Sequence, residues 1–243
     1  MALPILETAT YELSLPSSGV LVKFRPFLVK EEKLLLMALE SEDNKQITNA
    51  LKDIVRTCTF DVISVEALPT FDLEYIFLNI RAKSVGEIAK LKILCPDDNE
   101  TYTSIELDLS TVDVQVDDAH TSEIVVNDKI RMIMQYPTID SFDPSTDANK
   151  LQTNQLFDII AGSVSQIVDG EEIHHAKDYS KEEMNSFIDT LSSDAFNKIQ
   201  NFFNTMPKLM HEVEVENPKT KVKSKVTLQG LASFFVSPSH MTT

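Results

Sequence analysis

The spacing of apolar positions changes several times along this chain, and each change marks an element. From Thr10 to Leu15 apolar and polar residues alternate, Pro16-Ser17-Ser18-Gly19 supplies a turn, and Val20 to Phe24 resumes as a strand. That pattern predicts an N-terminal β-hairpin. Pro26 breaks it, and Lys30 to Glu40 then carries apolar residues at 34, 35, 36, 37 and 39 behind Glu31-Glu32. Two acids at that point suit the positive end of a helix. A second helix spans Lys45 to Thr57, with Ile47, Leu51, Ile54 and Val55 on one face. Pro69-Thr70 opens a third, which Thr70 is placed to cap. Asp72 and Glu74 lie in its first turn, and Phe71, Tyr75, Leu78 and Ala82 form a stripe ending near Gly86.

From Ile88 onward the period is two. Ala89 to Leu94, Thr101 to Leu109, Glu123 to Val126 and Lys129 to Tyr136 all alternate, with Asp97-Asp98-Asn99 and Asn127-Asp128 between them as turns. The expectation is a four-strand antiparallel sheet. Residues 140–149 contain Pro144 among polar turn formers and read as a loop or linker, dividing 1–139 from 150–243. Beyond it come a helix over about 148–161, a short hairpin at Asp169-Gly170, and a capping box made by Ser180 and Glu183. A helix from Asp194 to Thr205 follows, with Phe196, Ile199, Phe202 and Phe203 on one side, and Pro207 stops it.

The last pattern is the most regular. Glu212, Glu214 and Glu216 alternate with Val213 and Val215, Asn217-Pro218 turns the chain, and Lys219, Lys221, Lys223 and Lys225 alternate with Val222 and Val226. This predicts a hairpin with glutamates facing lysines and the valines on the other side, packed on the nearby Phe202-Phe203 helix. The fold class is therefore α+β: an N-terminal hairpin and helices, a central antiparallel sheet, and a helix-rich C-terminal part with a terminal β-hairpin.

Three stretches carry a resemblance. They are Phe24-Arg25-Pro26-Phe27-Leu28-Val29-Lys30-Glu31-Glu32-Lys33, then Pro69 to Phe77 with Arg81-Ala82-Lys83-Ser84-Val85-Gly86, and Val226 to Leu231 followed by Phe234-Phe235. In sequence and spacing they resemble the baseplate hub proteins of T4-type contractile-tailed bacteriophages. The resemblance implies a structural or assembly component of the tail baseplate, with other phage tail and baseplate proteins as partners and room for a homo-oligomer among them. It implies residence in the host cytoplasm during assembly and in the virion tail afterwards. A transient assembly chaperone and a hub-associated hydrolase are the alternatives.

Composition narrows the remaining classes. With 243 residues and 42% hydrophobic content, the chain can bury a sizeable core in one large domain or two modest ones. Two cysteines make no disulfide framework, the first thirty residues show no secretory pattern, and no apolar run reaches the length of a bilayer. The expectation is a soluble protein of a reducing cytosol with no membrane partner. Its formal charge is −16, and Asp97 to Asp147 alone holds thirteen acidic residues against Lys129 and Arg131, a local balance of −11. Such a field repels phosphate backbones, so no nucleic-acid partner is expected. Either it is a solvated face, or it docks a basic partner.

Candidate chemistry is sparse. Cys95-Pro96-Asp97-Asp98 has Asp98 where a zinc knuckle would have its second thiol, which leaves no metal site expected. His174 and His175 are adjacent in a strand and point to opposite faces, so they do not chelate one ion. There is no nucleophile elbow and no phosphate-cradling glycine loop, so neither cofactor nor enzyme is expected. The Phe202-Phe203 and Phe234-Phe235 pairs read first as core and otherwise as partner anchors. Asp113, Asp117 and Asp118, with Phe234 and Phe235, are the candidate partner-binding residues.

Overall fold

The computed structural model describes residues 8–141 and 153–234. It begins with strands β1 (Tyr11–Ser14) and β2 (Leu21–Phe24) and helices α1 (Val29–Glu40), α2 (Asn44–Cys58) and α3 (Thr70–Val85). Strands β3 (Ile88–Leu94), β4 (Tyr102–Asp108), β5 (Asp113–Gln115), β6 (Glu123–Val125) and β7 (Ile130–Met134) follow. Then come α4 (Thr153–Gly162), β8 (Val164–Asp169), β9 (Glu172–His175), α5 (Lys181–Asp189), α6 (Ser193–Thr205), β10 (Lys208–Glu216) and β11 (Lys223–Gln229). The result is a mixed fold of helices and small antiparallel sheets.

Two compact units share these elements. The first runs to Gln115 and resumes at Lys208, and the second is Val116–Pro207. The units therefore part elsewhere than at 140–149, a stretch lying mostly outside the described residues. The reason is strand pairing: β10 pairs antiparallel with β5, Lys208 opposite Gln115 and Met210 opposite Asp113, which returns the C-terminal hairpin to the first unit.

At the centre of the first unit stands α3. Phe71, Leu73, Ile76, Phe77, Leu78, Ile80 and Ala82 are all buried, a wider band than the expected stripe. Burying each of the larger ones contributes about 1.5–3 kcal/mol. Pro69 takes the cap position and Thr70 is the first helical residue, so Thr70 is not the cap. Asp72 faces back onto the β1–β2 turn, where its carboxylate accepts the Ser17 N–H at 3.1 Å and the Ser17 hydroxyl. Burial raises its pKa against those donors. Helix α1 has the acidic start expected of it. Glu31 accepts the Leu28 N–H at 2.8 Å and the Arg25 guanidinium at 2.9 Å, and Asp43 caps α2 through the Lys45 N–H at 2.8 Å.

The expected four-strand sheet is two sheets. Strands β3 and β4 pair with each other alone in the first unit, from Ile88 opposite Asp108 to Leu94 opposite Tyr102. In the second unit, β6 and β7 belong to a sheet ordered β6-β7-β8-β9. Alternation specifies a strand and its buried face, and leaves its neighbour open. The turn in the β8–β9 hairpin is Gly170-Glu171, one residue later than expected, because Asp169 pairs with Glu172 and Gly170 takes the positive φ of 61°.

In the C-terminal hairpin the period-two reading holds. Glu214 lies opposite Lys225 and Glu216 opposite Lys223, while the ion pairs run diagonally, Lys225 to Glu212 at 2.6 Å and Lys223 to Glu214 at 3.1 Å. Val213 and Val215 are buried, but Val222 falls in the loop before β11 and is 46% exposed. The valine face packs in the first unit, where β10 lies against α3 and β4. Phe202 of α6 belongs to the core of the second unit with Ile124, Met132, Ile160, Met184 and Ile199. Helix α5 starts where its cap predicts, at Ser180 with its Glu183 box, and α6 begins at Ser193, one residue before the expected Asp194, with Ser192 as its cap.

Candidate functional site

The candidate partner-binding residues are divided between the two units. Asp113 is exposed on β5 in the first unit, its carboxylate accepting the Val114 N–H at 2.8 Å. Asp117 and Asp118 are exposed in the second, where Asp117 accepts the Ala119 N–H at 2.8 Å. These are short local bonds that leave most of each carboxylate to solvent. Phe234 is 0% exposed and is a core residue instead of an anchor. Gly230, with φ 70°, turns the chain after β11, and the Leu231 N–H donates to Glu74 of α3 at 3.0 Å, which seats the Leu231–Phe234 turn inward. Burial raises the Glu74 pKa, partly offset by that bond. Phe235 lies outside the described residues.

An apolar surface appears on α1 that the sequence reading did not single out. Val29 is 78% exposed, and Leu34, Leu36 and Met37 are also exposed, with Leu28 just before the helix. Only Glu31 and Ala38 of the helix are buried. Lys30, Glu32, Lys33 and Glu40 are the exposed charged residues of the same helix. The signal was present: four consecutive apolar residues, 34 to 37, span the whole circumference of a helix, so some of them must face water or a partner.

The second unit holds a cleft of about 480 Å³ lined by Gln135, Asp158, His175, Lys177, Tyr179 and Lys181 among others. Among the described residues its one acidic lining residue is Asp158, whose carboxylate accepts Lys181 at 2.9 Å and Asn185 at 3.0 Å. Those partners hold it below the usual carboxylate range, Lys181 foremost. It is a structural anion, engaged on both sides and ill suited to proton transfer. His174 hydrogen-bonds Tyr179 Oη at 2.7 Å, whereas His175 lines the cleft, so the adjacent imidazoles serve different surroundings.

His120 is the better-defined imidazole. Thr205 Oγ1 donates to the Asn201 carbonyl at 2.8 Å, so toward His120 it must accept, from Nδ1–H at 2.9 Å. Nε2 is then the acceptor for the Tyr136 hydroxyl at 3.0 Å. The neutral ring stacks on Tyr136 and leans on Phe202. Burial lowers its pKa, while Asp117 pulls the other way.

Both cysteines are buried thiols. Burial pushes Cys58 up to about 11, and burial with neighbouring Asp97 and Asp98 raises Cys95, so each disfavours the thiolate that a metal requires. Asp98 accepts the Thr101 hydroxyl at 2.6 Å, the Thr101 and Glu100 N–H groups at 2.9 and 3.0 Å, and the Asn217 amide at 3.0 Å. These donors hold it far below the usual carboxylate range. Among the described residues no three His, Cys, Asp or Glu side chains gather as a metal-binding group, and no helix is long and apolar enough to cross a membrane.

A family model described as T4 bacteriophage base plate protein matches residues 8–236 of the chain. No curated protein and no solved structure matches it.

Proposed function

The chain belongs to the T4 bacteriophage base plate protein family, and from that premise we propose that it is a structural or assembly component of the tail baseplate, working in the hub through protein–protein contacts. The observation that carries this reading is the family match over residues 8–236. Other baseplate proteins are its partners, in the host cytoplasm during assembly and in the contractile tail of the virion afterwards. The α1 surface supports it, since exposed apolar side chains on a helix rimmed by charge are the composition of a contact surface. The acidic surface, with Asp117 and Asp118 exposed, gives a basic partner long-range attraction.

A transient assembly chaperone is the second reading, favoured by the net charge of −16, which suits shielding a basic tail protein until it is built in. A hub-associated hydrolase has less support, because Asp158, the acidic residue that lines the second-unit cleft among the described residues, is engaged by Lys181 and Asn185. Infection with phage lacking this chain tests the proposal: tails should arrest before a complete baseplate forms. Normal baseplates in its absence would overturn it.

A further inference from the structure

Two hairpins of the first unit, β3–β4 and β10–β11, end in turns that begin alike and differ by one residue in length. One opens with Cys95-Pro96-Asp97-Asp98 and the other with Asn217-Pro218-Lys219-Thr220. In each, the N–H of the first residue bonds across the hairpin, Cys95 to the Thr101 carbonyl at 2.8 Å and Asn217 to the Val222 carbonyl at 2.9 Å. The carbonyl of that first residue accepts the N–H of the fifth, Asn99 at 3.0 Å and Lys221 at 2.9 Å. The fifth residue has positive φ in both, 54° and 64°. Two stretches more than a hundred residues apart thus share the first five residues of one backbone turn.

The turns also meet. The Asn217 amide donates to both Asp97 oxygens, at 3.0 and 3.1 Å, and to Asp98 at 3.0 Å, while the Thr220 hydroxyl donates to Asp97 at 2.5 Å. Asn217 and Cys95, which hold the first position of their turns, are each 1% exposed. A structural zinc site takes two ligands from each of two such turns, at the first and fourth positions. Here those positions are Cys95, Asp98, Asn217 and Thr220. One soft ligand, one carboxylate, an amide and a hydroxyl make a poor set for zinc and a good set for hydrogen bonding.

We propose that these two turns form a metal-free counterpart of a paired zinc knuckle, in which a carboxylate–amide clamp of Asp98, Asn217 and Thr220, at three of the ligand positions, together with Asp97, joins the hairpins. The clamp does a metal's structural work with no metal and no exposed thiolate. Its donors, Asn217 and Thr220, come from one turn and its acceptors, Asp97 and Asp98, from the other, so neither hairpin can be locked without its partner. This inference is independent of the baseplate reading.

The test restores the ligands in the full chain. Asp98→Cys with Asn217→Cys and Thr220→Cys should convert a protein that takes up no cobalt into one that binds one equivalent per chain, with the absorption of tetrahedral Co(II)-thiolate. Its thermal midpoint should then rise with added zinc. A milder variant, Asn217→Cys with Thr220→Cys, keeps Asp98 as an oxygen ligand and should give the same one-equivalent uptake. If either folded variant binds no more cobalt than the wild type, or if the triple variant is unfolded and zinc does not fold it, the four positions do not share a centre and the proposal fails.

Discussion

Replacing Val215 with Asp places a carboxylate where the native side chain is 2% exposed on the inner face of β10. Removing the buried isopropyl group forfeits about 1.5–2 kcal/mol. Holding a carboxyl group in that apolar setting, ionised or protonated, adds about 1–3 kcal/mol. The sum, about 2.5–5 kcal/mol, is a large share of the stability of a typical domain. Val222→Asp is the control, because Val222 is 46% exposed in the adjoining loop. It should fall within about 0.5 kcal/mol of the wild type. Glu214→Ser with Lys223→Ser, a surface pair 3.1 Å apart, should cost about 1 kcal/mol or less. Urea unfolding followed by circular dichroism reads all three. At a slope of about 2 kcal/mol per molar, the Val215 variant should lose about 2 M from the midpoint of the first unit's transition. Equal midpoints for the Val215 and Val222 variants would refute the assignment of faces.

Three further outcomes follow from particular residues. The neutral His120 ring sits below its ordinary 6.5, so its contribution is complete above about pH 6.5 and is lost as pH falls through the lowered folded value; the wild-type thermal midpoint should therefore drop more steeply with acid than that of His120→Asn, and parallel profiles would contradict this. Ser180→Ala removes the reciprocal cap with Glu183 at the start of α5 and should destabilise the second unit by about 1 kcal/mol, measured as a lowered thermal midpoint, with no change counting against the cap. Leu36→Lys with Met37→Lys alters exposed positions on α1, so the fold should persist by circular dichroism while recovery of the protein in assembled baseplates falls; unchanged recovery would remove α1 from the contact surface.

Local structure was legible in the sequence wherever a short rule decides it. Pro26 and Pro69 punctuate, Ser180 and Glu183 cap, and Glu214 and Lys225 alternate with valines, so these elements lie where the pattern puts them. Partnership was not legible. Strands β4 and β6 alternate alike, yet one pairs with β3 and the other with β7, because period two fixes a face and says nothing of a neighbour. The division into units escaped for the same reason, since it depends on Leu209 lying opposite Val114 across the two chain segments. Phe234 was ambiguous for a different cause: an aromatic pair fills a core or anchors a partner with the same residues, and only the Leu231 bond to Glu74 turns it inward. The exposed face of α1 was readable in principle from residues 34 to 37, whose apolar run exceeds what one helical face can bury.

Quantitative mass spectrometry of purified baseplates, together with the hub intermediates that precede them, tests the central claim most directly. The account predicts peptides of this chain in a fixed ratio to other baseplate proteins in one or both preparations, with the finished baseplate marking a structural component and the intermediate alone marking an assembly factor. Absence of the chain from both would contradict a role in the baseplate.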